Sequence, residues 1–259
     1  MSDIHGCYDE LMKMLGKIEF SSEDTLIIAG DYIDRGKQSF EMLKWLENPP
    51  ENIHLIKGNH DVEFAYSVSF LNKACTQINI DDCQNLKIVY TYMKQQFAET
   101  DNGNSFFDHY GTIGQLIKEH HVTMRQLLLW AECIDKMPFF YEINVNGKHC
   151  IVVHAGYIED LEHADTEETY ETVEDFYLYA RDDAYICGGI EHGTIVAGHT
   201  PTIKEEEFPY NNGDVFRMYD EEQDCTFFDI DCGCSWREKK KNAKLACIRM
   251  EDENVFYIQ

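Results

Sequence analysis

Apolar positions recur along the chain with two periods. Short runs of strand character close on glycine or a polar residue at Thr25–Ala29, Ile53–Ile56, Cys150–Val153, Thr194–Ala197, Thr226–Ile230, Leu245–Arg249 and Val255–Ile258. Between the early runs the spacing turns helical. Tyr8–Lys17 sets Leu11, Met12 and Leu15 on one face, and Ser39–Leu46 does the same with Phe40, Leu43 and Leu46. Strand and helix alternate early, which predicts βαβ units. The closely spaced late strands predict a mixed or second sheet, and the fold class is α/β.

The stretch 62–148 departs from this rhythm. It is helix-like, most clearly over Leu86–Phe97 and Met124–Ile134, with a turn signal at Asp101-Asn102-Gly103-Asn104. It reads as a helical insertion over the site face of a single domain spanning 1–259. Its aromatic residues, including Phe64, Tyr66, Phe70 and Phe106, read as core. The basic patch Arg237–Lys241 reads as a hairpin loop between two late strands.

Composition narrows the function classes. With 44% apolar and 13% aromatic residues among 259, the chain can bury a sizeable core. Forty-eight acidic against twenty-two basic residues give a net charge of -26, which repels a nucleic-acid polymer over most of the surface. Small or peptide-borne phosphates remain compatible where metal ions invert the field. The acidic segment from Ile158 to Asp175 reads as a solvated loop or helix face, or as a surface for cationic peptides. Ten cysteines without an export signal point to free thiols in a reducing cytoplasm. Cys232-Gly233-Cys234 has no second pair nearby, so no zinc knuckle is expected. Cys7 directly follows a block of candidate ligands. No apolar run is long enough for a membrane helix.

Five polar blocks follow strand ends or open the chain. They are Asp3-Ile4-His5-Gly6, Gly30-Asp31-Tyr32-Ile33-Asp34-Arg35-Gly36, Gly58-Asn59-His60-Asp61, His154-Ala155-Gly156 and Gly198-His199-Thr200-Pro201. Carboxyl ends of strands project side chains into a shared crevice. Carboxylates and imidazoles suit Mn²⁺, Fe or Zn²⁺, and Asp31 has two oxygens with which to bridge two ions. Such a pair activates water and binds phosphate oxygens. His60 is then free to protonate a leaving alkoxide, with Asp34 orienting its ring, and Arg35 offers a planar fork for phosphate.

These blocks resemble the phosphoprotein phosphatase branch of the calcineurin-like metallophosphoesterases, whose pattern is G-D-x-H-G, G-D-x-x-D-R-G, G-N-H-E or G-N-H-D, then H-A-G or H-G-G, and a last G-H. The compact form looks most like bacterial and phage Ser/Thr phosphatases and their diadenosine tetraphosphatase relatives. The resemblance implies a four-layer fold, two mixed β-sheets in a sandwich flanked by helices. It implies two divalent metal ions, Mn²⁺ above Fe or Zn²⁺. Asp3, His5 and Asp31 would hold one; Asp31, Asn59, His154 and His199 the other. It makes His60 the general acid and Asp34 its partner, with Arg35, Arg181 and Asn59 gripping phosphate. Arg181 lies in Tyr179-Ala180-Arg181, where the family has W-x-R, and could instead pair with Asp182 or Asp183. Asp229-Ile230-Asp231-Cys232-Gly233 and Lys244-Leu245 echo a structural strand region.

The implied activity is hydrolysis of phosphoserine and phosphothreonine in proteins, a metal-held hydroxide attacking phosphorus directly. The alternative is symmetrical cleavage of dinucleoside tetraphosphates, towards which Asp61 in place of glutamate pulls. A non-catalytic metal-binding scaffold is disfavoured by the intact His60 and Asp34. Only Met1 and Ser2 precede Asp3, where the family has a buried first strand. The expectation is a start set too late, with metal affinity rising when an upstream apolar segment is added.

Overall fold

The computed structural model describes residues 1–77, 83–100 and 107–259. The turn signal at Asp101–Asn104 and the aromatic Phe106 lie outside the described residues. The first half runs α1 (Tyr8–Lys17), β1 (Leu26–Ala29), α2 (Ser39–Leu46), β2 (Ile53–Ile56), α3 (Asn59–Gln77), α4 (Cys83–Thr100), α5 (Thr112–Glu119) and α6 (Met124–Asp135). The second runs β3 (Phe140–Val145), β4 (Lys148–Val153), α7 (Val173–Tyr179), α8 (Asp182–Ile186), β5 (Gly193–Ala197), β6 (Phe216–Asp220), β7 (Cys225–Asp229), a 3₁₀ turn (Cys234–Trp236), β8 (Leu245–Arg249) and β9 (Asn254–Ile258).

Burial explains the sheets. A five-stranded sheet has the order β3-β4-β5-β7-β6. Its centre, β4-β5-β7, is parallel, and β5 and β7 are buried at every residue. Strands buried on both faces read as continuous apolar runs. The flanking strands β3 and β6 pair antiparallel and alternate in exposure. Their mixed composition hid them from the sequence pattern, so the helical part of the predicted insertion ends at α6 and residues 140–148 join the sheet.

The remaining strands form two separate pairs, β1-β2 parallel and β8-β9 antiparallel. The expected second sheet is therefore split. On the β1 edge away from β2, Met1 continues the pairing, donating from its amino group to Ile27 O (3.2 Å) and accepting from Ala29 N (2.8 Å). A cavity of about 470 Å³ separates the pairs, lined by Met1, Ile27, Cys247, Arg249 and Phe256 among others.

Three apolar layers define the stack. Ala29 and Ile56 meet Val152, Val196, Phe228 and Ile230 between the sheets. Behind the five-stranded sheet, α7 and α8 pack Phe176, Tyr177 and Ala184 on Ile151, Ile195 and Phe227. On the other side, the helices from α1 to α6 cover β1 with Leu11, Met14, Met42, Leu71, Leu127 and Trp130. Thr123 caps α6 through Gln126 N (3.2 Å), and Trp130 Nε1 donates to Glu47 at the end of α2 (2.8 Å).

Two local expectations are corrected. Phe64 is buried, but Tyr66 is 64% exposed, because it sits on the solvent face of α3. Arg237–Lys241 is no hairpin loop: it follows the 3₁₀ turn on the way from β7 to β8, which lie in different sheets. The acidic segment 158–175 is irregular until α7 begins, and largely exposed. Cys7, Cys75, Cys150, Cys225, Cys232, Cys234 and Cys247 are buried free thiols, and Cys133 and Cys187 are half-buried ones.

Candidate metal centre

Four of the five polar blocks sit where the fold turns away from a strand. Asp31 follows β1, Asn59 opens α3 after β2, His154 follows β4 and His199 follows β5. The opening segment is bonded along the loop after β1: Asp3 N to Gly30 O (3.1 Å), His5 N to Asp31 O (2.8 Å), Gly6 N to Tyr32 O (2.7 Å). Asp3, His5, Asp31, Asp34, Arg35 and His199 all have positive φ, between 47° and 70°. Non-glycine residues hold that conformation only where surrounding contacts over-determine it, and such outliers gather at functional sites. At Gly58 the backbone passes so close to Asp31 and His154 that a Cβ would collide with both.

The predicted residues converge. His5 Nε2 lies 3.4 Å from Asp31 Oδ2 and 3.8 Å from Asp3 Oδ1. His154 Nε2 lies 3.5 Å from Asp31 Oδ1, 3.1 Å from Asn59 Oδ1 and 3.2 Å from His199 Nδ1. Asp31 faces both groups, one with each oxygen. Donor atoms of Asp31, His154 and His199 lie within 4.8 Å of one another, as do those of His5, Asp31 and His60.

The chemistry of this donor set fits cations. His5 Nδ1 is 2.8 Å from Ile33 O and His154 Nδ1 is 2.8 Å from Ala29 O. Each carbonyl accepts that ring's N–H, so in the neutral ring the Nε2 lone pair points into the centre. His5 Nε2 has no hydrogen-bond partner and is buried. Burial, reinforced by Arg35 and His60, holds the pKa of His5 well below the usual histidine range; burial with His154 and Arg181 does the same to His199. Asp31 is raised well above the carboxylate range by burial and by Asp3 and Asp61, though His60 opposes this. Neutral imidazoles and crowded carboxylates facing one another are acceptors without donors, an arrangement that a divalent cation satisfies.

Beside this centre, His60 Nδ1 is 2.8 Å from Asp34 Oδ2. Burial lowers the affinity of His60 for a proton, but Asp31 and Asp34 outweigh it and the net shift is upward. Arg35 does not stand free: its Nη2 lies 3.0 Å from His60 Nε2 and its guanidinium 5.7 Å from the Tyr110 ring. Arg181 pairs with neither Asp182 nor Asp183. Its Nη1 reaches Thr200 Oγ1 at 3.4 Å, next to His199, while Asp183 accepts from Glu167 N, Glu168 N and Tyr170.

Three residues at the site were not assigned a positioning part by the sequence. Asp61 accepts from the backbone N–H groups of Asp31 (2.8 Å), Tyr32 (3.1 Å) and Gly58 (2.9 Å), fixing the loop that carries Asp31. Its place in the G-N-H-D block was a signal for that. Tyr110 lays its ring 4.2 Å from that of His60, and Thr112 Oγ1 donates to Asp34 Oδ1. No motif marks either residue.

The calcineurin-like phosphoesterase family model matches residues 1–222. The chain belongs to that family. Members use divalent metals, in keeping with this phosphoesterase's donor set. Among curated relatives, it is 43% identical over 107 residues to a symmetrical bis(5'-nucleosyl)-tetraphosphatase of Buchnera aphidicola, covering 39% of this chain and 38% of that protein. It is 43% identical over 63 residues to the protein of that name from Klebsiella pneumoniae, covering 24% and 22%. The matches span well under half of those relatives' length. A solved structure described provisionally as a diadenosine tetraphosphatase superposes with TM-score 0.55 at 16% identity, over 99% of this chain and 90% of that one. A hypothetical protein from Pyrococcus horikoshii gives TM-score 0.50 at 14% identity, over 100% and 85%. At such identities these two show the fold alone. No helix among the described residues is long and apolar enough to cross a membrane.

Proposed function

We propose that the chain is a two-metal phosphoester hydrolase that cleaves dinucleoside tetraphosphates symmetrically. The observation that carries the substrate is the name shared by its relatives at 43% identity, and Asp61 in the G-N-H-D block agrees with it. The protein-phosphatase reading that led on sequence grounds has only the family behind it. In this reading Asp3, His5 and Asp31 hold one metal, and Asp31, Asn59, His154 and His199 the second. We take the metals as Mn²⁺, the setting as the cytoplasm, and 1–259 as one domain with its helical segment over the site.

When bound, the ions polarise phosphoryl oxygens and lower the pKa of water. The side chains do the rest. Arg35, Arg181 and Asn59 orient the phosphate, and Arg35 leaves His60 Nε2 to do so. His60, oriented by Asp34 and with its proton affinity raised by Asp31 and Asp34, delivers an Nε2 proton to the departing oxygen once Arg35 has moved off that nitrogen.

Purified protein with Mn²⁺ is to be offered diadenosine tetraphosphate, a phosphopeptide and p-nitrophenyl phosphate side by side. ADP release as the preferred reaction is expected. Turnover of the phosphopeptide with no ADP release restores the protein-phosphatase reading. Inactivity on all three with Mn²⁺ bound would favour a binding scaffold.

A further inference from the structure

The helical segment reaches the His60–Asp34 dyad with two side chains, the Tyr110 ring against His60 and the Thr112 hydroxyl on Asp34. Thr112, the first residue of α5, is buried, and its hydroxyl donates to Asp34 Oδ1 while Asp34 Oδ2 faces His60 Nδ1 at 2.8 Å. We propose that Thr112 is a positioning residue for proton delivery: it fixes the plane of the Asp34 carboxylate and, through it, the ring of His60. The proposal rests on the reading of His60 as the acid.

The hydroxyl is not there by a chance side-chain rotation. Asp108 holds the turn that carries it, accepting from Ile113 N (2.9 Å) and Gly114 N (3.0 Å) in the first turn of α5. Tyr90 of α4 donates to the same carboxylate (2.6 Å), and Ser67 Oγ of α3 accepts from Asp108 N (3.0 Å). Gly111, at φ 79°, turns the chain into the helix. Asp34 is also fixed from its own side, Ser39 Oγ accepting from its backbone N–H at 3.1 Å. Each carboxylate oxygen thus has one donor, and a carboxylate so held cannot rotate away from the imidazole without leaving a buried oxygen unpaired. The Tyr110 ring against His60 comes from the same turn.

The hydroxyl matters to the degree that the leaving group needs a proton. Thr112→Val, which keeps shape and removes the donor, is expected to lower kcat on phenyl phosphate about tenfold or more with KM little changed. On p-nitrophenyl phosphate, whose leaving group departs without help, the loss should be small. Thr112→Ser should restore most of the difference. Thr112→Ala removes the donor without added bulk and serves if the valine variant does not fold; melting temperature and Mn²⁺ affinity, measured on each, separate folding from positioning. His60→Asn run in parallel supplies the reference. If His60→Asn is selective for phenyl phosphate but the Thr112 variants lose equally on both esters, or lose nothing, the proposal is overturned and the acid assignment stands. If His60→Asn itself loses equally on both, the acid assignment falls and this proposal with it.

Discussion

Gly58→Ala isolates the space at the centre of the site. Gly58 does not occupy the left-handed region, so alanine meets no backbone penalty there, and only its methyl matters. That methyl would overlap Asp31 Oδ1, approach Asp31 N to 2.5 Å and reach 2.9 Å from His154 Cε1. Relief to ordinary contact needs a shift of about 1 Å, and the neighbours are the Asp31 backbone, the Asp31 carboxylate and the buried His154 ring. Asp31 Oδ1 also accepts from His60 N at 3.0 Å and faces His154 Nε2 at 3.5 Å, so its retreat disturbs both. Overpacking of this kind costs about 1–3 kcal/mol. A misplacement of about 1 Å at reacting groups costs on the order of a hundredfold in rate. Urea denaturation with chelator present should therefore show lower stability, calorimetric Mn²⁺ titration weaker binding, and turnover a fall of about a hundredfold. Gly16→Ala is the control. It lies in α1 with nothing within 4 Å of the added methyl, and should gain about 0.5–1 kcal/mol with turnover unchanged. Wild-type Mn²⁺ affinity and turnover in Gly58→Ala would refute the assignment of Asp31 as the shared ligand held against that glycine.

Three further outcomes follow from the same geometry. Chelation should lower the melting temperature and saturating Mn²⁺ restore it, by about 2.7 kcal/mol at a hundred times the dissociation constant; Asp31→Asn retaining the full increment would contradict a shared carboxylate. Arg181→Ala should raise KM for every phosphate ester more than it lowers kcat, since the guanidinium stands at Thr200 away from the His60 dyad; an unchanged KM removes it from phosphate binding. Burial pushes the Tyr177 phenol up to about 12, with Tyr157 opposite adding to the shift. The folded phenol keeps its proton where the unfolded one, near 10, loses it, so its contribution is full below pH 10 and fades as pH rises through about 12. Tyr177→Phe should flatten that part of the stability profile in chemical denaturation, and an identical slope in both proteins would count against it.

How much of this was legible in the sequence depends on what each residue packs against. Strands β5 and β7, buried throughout, wrote continuous apolar runs, and α1 and α2 span the residues their apolar spacing predicts. The edge strands β3 and β6 expose alternate side chains to water and left no such mark. The ligand blocks were legible because short polar words flanked by glycine followed those strands. The positive φ values of Asp3, His5, Asp31, Asp34, Arg35 and His199 were not, since nothing in an aspartate or histidine announces a left-handed backbone. Thr112 and Tyr110 were invisible for another reason: their part is set by a turn that Asp108, Tyr90 and Ser67 hold, on elements distant along the chain from Asp34.

The same burial that makes the centre costly makes it specific. Asp3, Asp31, Asp61, Asp229 and Asp231 are all buried in a chain whose net charge is already -26. Asp61 and Asp231 satisfy themselves with backbone N–H groups, and Asp229 takes the Tyr185 hydroxyl at 2.7 Å. Asp31 accepts one N–H, from His60, and otherwise faces imidazole nitrogens that the Ile33 and Ala29 carbonyls turn towards it as acceptors. Replacing those rings by apolar groups would leave a buried carboxylate uncompensated, and protonating them would oppose the burial that holds His5 and His199 neutral. A cation between Asp31 and its neighbours is the arrangement that satisfies every one of these groups at once. Folding stability and metal affinity should therefore change together when any ligand is altered.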